Sequence, residues 1–170
     1  MEVAKVGVVM QRTPLSNRWQ PFQWRPVEIV RDIALPEGGV RRLRDDPTDA
    51  RWLFSGFEVQ LFTAESEGYY LNISSPVPCW FVMWRMEEMD GSEMCAVQSV
   101  TLSYNEAARL MDGGERVDTI PASNDIVALL ASFVEKHYRP EPKTKRRKPS
   151  FEGGEEVSKM VVPEGGSCER

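Results

Sequence analysis

With 170 residues, 41% hydrophobic composition and a net charge of −5, the chain is long enough for one folded domain with a tail. The acidic balance argues against nucleic-acid binding, since such domains usually carry a basic excess. Three widely spaced cysteines argue against a disulfide framework and a cysteine-rich metal centre. With no secretory leader pattern and no apolar stretch of membrane-spanning length, we expect a cytoplasmic protein without membrane insertion.

The first thirty residues predict two strands. Residues 5–15, KVGVVMQRTPL, contain a β-branched run that indicates a buried strand ended by Pro14. A helix cannot run through Pro21 and Pro26 in the following NRWQPFQWRPVEIV. Because Pro26 cannot donate a ladder hydrogen bond, this second strand should be an edge or bulged strand. Its aromatic residues favour core packing over a ligand platform, since burial is their commoner use.

Residues 35–50, LPEGGVRRLRDDPTDA, are polar with turn residues at both ends and predict a long surface loop. This loop carries Arg41, Arg42 and Arg44 close together. The arginines are either simply solvated or form a contact for an anion or a protein partner.

Residues 56–103 predict an antiparallel meander of four strands, joined by the N-terminal pair. Alternation indicates half-buried strands at 57–61 and 69–73, separated by a turn at 65–68. The run 77–86 is apolar on both faces, as in a central strand. A loop over 87–94, containing an Asp-Gly turn signal, leads to the last strand at 95–103.

Two helices should follow this meander. Ser103 and Glu106 fit a capping box, and Gly113-Gly114 supplies a stop. The second helix, capped by Ser123 or Asn124, places Ile126, Leu130, Phe133 and Val134 on one face. The predicted fold is therefore α+β, a mainly antiparallel β-sheet covered by two C-terminal helices.

The composition changes after residue 140, which predicts a single domain over 1–140 and a disordered basic and polar tail over 141–170. Five basic residues concentrate the positive charge of this tail. They are possible partner-binding residues alongside the three loop arginines, and they are Lys143, Lys145, Arg146, Arg147 and Lys148.

No residue pattern predicts catalysis, a metal site or a bound cofactor. The single histidine, His137, lies at a helix end, where a cation is favoured by the helix dipole. Cys79 lies within an apolar strand and should be an inert thiol. The adjacent acids and the Gly-Gly pairs fall in polar segments, and none continues as a phosphate-binding loop.

Four segments together resemble an uncharacterised bacterial domain family that is often encoded beside molybdenum-dependent formate dehydrogenases and their assembly factors. They are VGVVMQRTPLSNRWQPFQWRP, LNISSPVPCWFVMW, VTLSYNEAARLMDGGERVDTIP and FVEKHYRPEPKTKRRK, within roughly residues 4–148. The resemblance carries over no functional residues. Some members of the family are labelled for molybdopterin-guanine dinucleotide synthesis, but QRTPLSN follows the first strand here in place of the Gly-rich loop of such nucleotidyltransferases.

We therefore expect a non-enzymatic accessory or adaptor protein that binds a protein partner in the maturation of molybdenum-dependent formate dehydrogenase. The alternative is an enzyme or cofactor-binding protein in molybdopterin-guanine dinucleotide metabolism. The two differ in one observable feature. An enzyme or cofactor-binding protein needs a pocket with convergent polar groups, whereas an adaptor can rely on a charged or apolar patch.

Overall fold

The computed structural model describes residues 2–31 and 38–142 as an α+β protein. The described elements are strands β1 (Glu2–Pro14), β2 (Phe22–Arg31), β3 (Gly39–Arg44), β4 (Ala50–Gln60), helix α1 (Ser66–Ile73), β5 (Cys79–Met89), β6 (Ser92–Thr101), α2 (Tyr104–Asp112), β7 (Arg116–Pro121) and α3 (Asn124–His137). The predicted disorder of the tail concerns residues outside this part of the chain. The domain boundary at 140/141 stays a prediction.

The described strands form two antiparallel sheets, where the sequence predicted one. The first sheet has the order β2-β1-β4-β3, and the second has the order β6-β5-β7. The first sheet ends with β4 in the chain, and the second begins with β5. Helix α1 lies between these two strands, so they are not joined by a hairpin. Buried side chains of both sheets and of α3 form the main hydrophobic core, and Cys79, Phe81 and Ala107 form a smaller cluster.

The predicted strand at 69–73 is wrong, since these residues belong to α1. The apparent alternation of Tyr69, Leu71 and Ile73 suggested a strand, but Leu71 is exposed. The buried positions Ser66, Tyr69 and Asn72 recur every three residues, which is helical spacing. The predicted turn at 65–68 is accordingly the start of this helix.

Two further strands depart from the prediction. The loop predicted at 35–50 contains β3, whose residues are all exposed and so give no apolar periodicity. Strand β7, between α2 and α3, was not predicted and completes the second sheet.

The expected loop at 87–94 is a tight hairpin, in which Asp90 and Gly91 have positive φ angles of 52° and 78°.

Several predictions are confirmed. Strand β2 lies at a sheet edge, and its pairing skips a residue beside Pro26, where Val9 pairs with Glu28 and Met10 with Pro26. Strand β5 is central and is buried on both faces over its first six residues. The Ser103 hydroxyl accepts the backbone N–H of Glu106 at 3.2 Å, capping α2. The four apolar residues predicted for one face of α3 are buried.

Replacing Gly68 with alanine is expected to lower the free energy of unfolding by about 1–3 kcal/mol, because the added methyl overpacks the contact between α1 and α2. A Cβ at position 68 would overlap the Ser103 hydroxyl and lie 3.2 Å from the backbone nitrogen of Asn105. If the Ser103 side chain rotated away, its hydroxyl would lose the hydrogen bond that it donates to the Glu65 carboxylate at 2.6 Å. It would also no longer accept the Glu106 N–H, which is the bond that caps α2.

Urea denaturation measures this effect, and Gly39→Ala is the matched control because a Cβ there meets no atom within 4 Å. Equal unfolding midpoints for the two variants would contradict the packing argument.

Candidate functional site: a cationic groove and a basic edge strand

A groove of about 660 Å³ lies between side chains of the two sheets. Its volume is within the range of about 300–1,000 Å³ that is usual for ligand pockets. The first sheet and its β1–β2 loop contribute arginine and aromatic side chains, and the second contributes Met86, Met94, Glu93 and Arg116. We call this the cationic groove, defined by Arg12, Trp19, Phe22, Trp52, Glu93 and Arg116.

Strand register brings the first wall of the cationic groove together. Arg12 is opposite Trp24 on β2, and Trp52 of β4 is opposite Arg42 on β3. Residues directly opposite in antiparallel strands share a face of the sheet. A row of alternating aromatic and guanidinium groups therefore crosses one end of the sheet.

Arg12 is the centre of this row. Its guanidinium carbon lies 4.3 Å from the ring centroid of Phe22, 5.1 Å from that of Trp52 and 5.6 Å from that of Trp24. The rings attract the cation through their faces. Within residues 2–31 and 38–142, no carboxylate or hydrogen-bond acceptor pairs with this guanidinium. Its N–H donors are therefore available to a ligand.

Arg116 approaches the groove from the second sheet. Its guanidinium carbon lies 4.6 Å from the ring centroid of Trp84. The Trp84 ring is fixed because its Nε1–H donates to the Asp118 carboxylate at 2.7 Å. Like Arg12, Arg116 has no acidic partner in the described ranges.

Trp19 stands at the rim of the groove with 90% of its surface exposed. Its loop is closed by a 2.9 Å hydrogen bond from the Leu15 N–H to the Pro21 carbonyl. The Trp19 N–H donates to the Asn17 side chain at 3.0 Å. The aromatic segment read as core packing is thus divided, since Trp24 is buried whereas Trp19 is open to solvent.

Strand β3 is a basic edge strand. Its six residues are exposed, and it pairs only with β4 among the described strands. Val40 and Leu43 remain 47% and 48% exposed. The three predicted partner-binding arginines lie on this strand, whereas Lys143, Lys145, Arg146, Arg147 and Lys148 lie outside the described residues.

The arginines of β3 differ in their partners. Arg42 pairs with Asp45 and lies over the Trp52 ring, at 5.4 Å from its centroid. Arg44 pairs with Asp49 at 2.5 Å. Arg41 has no acidic partner in the part of the chain that the structure describes, so its charge is available to another molecule.

Asp49 anchors the end of β3. Its carboxylate accepts from the Arg51 Nε at 2.9 Å, from Gln11 at 2.9 Å and from Arg44 at 2.5 Å. These bonds, led by that from Arg51, hold the pKa of Asp49 well below its usual range. The carboxylate therefore stays ionised, and its stabilising contribution is lost only as pH falls through that depressed pKa.

The other titratable groups singled out in the sequence lie away from the groove. Burial raises the pKa of the Cys79 thiol, and it raises the pKa of Cys95 to about 12, so both stay protonated at neutral pH. The His137 ring packs on Phe133, with centroids 4.4 Å apart. Across the described residues, no group of three or more His, Cys, Asp and Glu side chains could hold a metal ion.

The fold and the groove together define a two-sheet α+β protein with a cationic, aromatic-lined cleft. Residues 5–147 match the family described as "Protein of unknown function (DUF3305)", and the chain belongs to this family. Neither a curated protein nor a solved structure matches the chain. Helices long and apolar enough to cross a membrane are absent from residues 2–31 and 38–142.

Proposed function

We propose that the protein is a non-enzymatic accessory protein that binds a protein partner through the basic edge strand β3. The observation that carries this proposal is the exposure of all six residues of β3, with pairing on only one side within the described chain. The proposed setting, maturation of a molybdenum-dependent formate dehydrogenase, rests on the resemblance of the chain to proteins encoded beside that enzyme.

An extended segment of the partner would add to β3 as a fifth strand. The outer edge of a strand offers N–H and C=O groups at regular spacing, and main-chain pairing to them is a recurring mode of peptide recognition. Val40 and Leu43 supply exposed apolar contacts, and Leu43 lies where the pairing of β3 with β4 shifts register between Arg42 and Arg44. Arg41 favours an acidic segment, since it has no acidic partner among residues 2–31 and 38–142.

The same arginines disfavour pairing of β3 with a second copy of itself. Two copies would bring like charges together along the shared edge, which is how many edge strands avoid self-association. An acidic partner reverses the sign of that interaction. The basic edge therefore selects the partner by charge as well as by strand pairing.

We further propose that the basic segment Lys143–Lys148 speeds association with the same partner. Its five cations would act through screened electrostatics and not through a fixed contact. Neutralising this segment should matter less as salt rises, because the Debye length falls from about 10 Å at 0.1 M to about 3 Å at 1 M salt.

Deleting the gene is expected to lower formate dehydrogenase activity while molybdopterin-guanine dinucleotide remains present. Complementation with the wild-type chain should restore the activity. Complementation with Arg41→Glu should restore it poorly, with partner binding weakened about 10-fold. Lys136→Glu, which makes the same charge change on the exposed surface of α3, is the matched control and should restore activity fully. Enzyme assays, cofactor content and affinity purification of the three forms measure these outcomes.

The cationic groove, with the polar side chains of Arg12, Arg116 and Glu93, is the observation that favours the alternative function, and the same experiment separates the two. Loss of the dinucleotide itself in the deletion strain would favour an enzyme or cofactor-binding protein of molybdopterin-guanine dinucleotide metabolism. Normal enzyme activity with normal cofactor would contradict both functions. Equal complementation by Arg41→Glu and Lys136→Glu would remove β3 as the partner surface.

A further inference from the structure

We propose that the cationic groove binds a nucleotide, with the base stacked on Trp19 and the phosphates held by Arg12 and Arg116. This inference does not depend on the partner-binding function, since Arg12, Trp19 and Arg116 lie outside β3. The proposed occupant of the groove is a small anion that carries a planar aromatic base.

Arg12 and Arg116, which have no acidic partner in the described ranges, would hold the phosphates. Arg12 is half-buried and has no acceptor among the described residues, and its guanidinium nitrogens are not enclosed, so a ligand in the groove can reach them. Arg116 extends into the same groove from the second sheet. Guanidinium groups bind phosphate oxygens through charge-assisted, often bidentate hydrogen bonds.

Ring contacts hold both guanidinium groups before any ligand arrives. Arg12 is surrounded by three aromatic rings, and Arg116 lies over Trp84, whose own orientation is fixed by Asp118. Less side-chain freedom is then lost on binding, so the free energy of the new hydrogen bonds is retained in the affinity.

Trp19 forms the base end of the groove. An indole ring with 90% of its surface in water has no packing role within the described chain. Its loop is held by one backbone–backbone hydrogen bond, from Leu15 to Pro21, and by one from the Trp19 N–H to the Asn17 side chain. Stacking of a nucleobase on such a ring contributes about 5- to 150-fold in affinity per base. A ligand that consists of phosphate groups alone would leave the exposed face of the Trp19 ring without a contact.

Glu93 selects among bases and argues against an acidic peptide. Its carboxylate lines the groove and has no cationic partner in residues 2–31 or 38–142. A run of acidic side chains would be repelled by it. Guanine presents adjacent N–H donors that a carboxylate can accept, whereas adenine places an acceptor nitrogen beside its amino group. Guanine nucleotides should therefore bind more tightly than adenine nucleotides.

Isothermal titration of the full chain with GDP, ADP and pyrophosphate tests the proposal. GDP should bind at least about 5-fold more tightly than pyrophosphate and than ADP. Trp19→Ala should weaken GDP binding at least about 5-fold and leave pyrophosphate binding unchanged. Arg12→Gln should weaken both ligands about 10-fold, and so should Arg116→Gln, whose exposed position makes it the safer variant for folding. Lys136→Gln, at an exposed position on α3 and outside the groove, is the control and should bind GDP like the wild-type chain.

Four results would overturn the assignment. One is the absence of binding up to about 1 mM GDP. Another is equal affinity for GDP and pyrophosphate, which would reduce the groove to a general anion site. The third is equal affinity for GDP and ADP. The fourth is displacement of GDP by a glutamate-rich peptide at lower concentration. None of these results changes the expected outcome of complementation with Arg41→Glu. The proposal on nucleotide binding can therefore be wrong while the proposal on partner binding is right, and the reverse.

Discussion

Replacing Trp84 with alanine is expected to lower the free energy of unfolding by about 3–5 kcal/mol, as large-to-small changes in a packed core do. The side chain is 2% exposed and lies on the central strand of the second sheet. Its loss would leave a cavity, remove the hydrogen-bond donor of Asp118 and take away the ring beneath Arg116. Urea denaturation followed by far-ultraviolet circular dichroism measures the change without relying on tryptophan fluorescence.

Trp19→Ala is the matched control, since the same substitution at a 90% exposed side chain removes no core contact. Its unfolding midpoint should remain that of the wild-type chain. Trp80→Ala, at another side chain with 2% exposure on β5, should resemble Trp84→Ala. A loss below about 1 kcal/mol for Trp84→Ala would show that the core repacks around the missing ring.

The elements predicted correctly from sequence are those whose burial is periodic or continuous. Strand β5 was recognisable because both of its faces are buried, and α3 because its four core residues recur at helical spacing. Residue chemistry also sufficed for local features. Pro26 indicated an edge or bulged strand, and Ser103 with Glu106 indicated the start of α2.

The elements that were missed have weak or misleading patterns. Strand β3 buries no side chain, so its amphipathic signal is absent although its backbone pairs with β4. Helix α1 buries Ser66, Gly68 and Asn72, which are small or polar, while its apolar Leu71 is exposed. Tyr69 is the one large apolar residue among the four buried positions of α1, so hydrophobic periodicity assigns this segment to the wrong period.

The cationic groove was beyond sequence reasoning because its parts are remote in the chain. Arg12, Trp52 and Arg116 come from three strands, and only the register and the approach of the two sheets bring them together. A partial signal was present in the Pro-bounded aromatic segment. The same short stretch contains Trp24, which the core needs, and Trp19, which it does not, and composition alone cannot separate the two roles.

Replacing Asn72 with leucine is expected to lower the free energy of unfolding by at least about 3 kcal/mol, because three buried backbone groups lose their partner. The Asn72 amide donates to the Cys79 carbonyl at 2.8 Å and to the Leu102 carbonyl at 2.9 Å, and its oxygen accepts the Cys79 N–H at 3.0 Å. With 1% exposure it ties α1 to the start of β5 and to the chain leaving β6.

Leucine has the same branching and the same number of heavy atoms as asparagine, so Asn72→Leu removes the hydrogen bonds without opening a cavity. Its larger methyl groups add an overpacking cost of about 1–3 kcal/mol in the same direction. Each unsatisfied buried group costs about 1–3 kcal/mol. Asn105→Leu is the matched control, since that amide reaches only the exposed Glu67 carboxylate, at 3.4 Å. Urea denaturation of both variants with unchanged m values gives the comparison. Similar stabilities for Asn72→Leu and Asn105→Leu would mean that the three backbone groups find other partners, and the link between α1 and the second sheet would then rest on apolar packing alone.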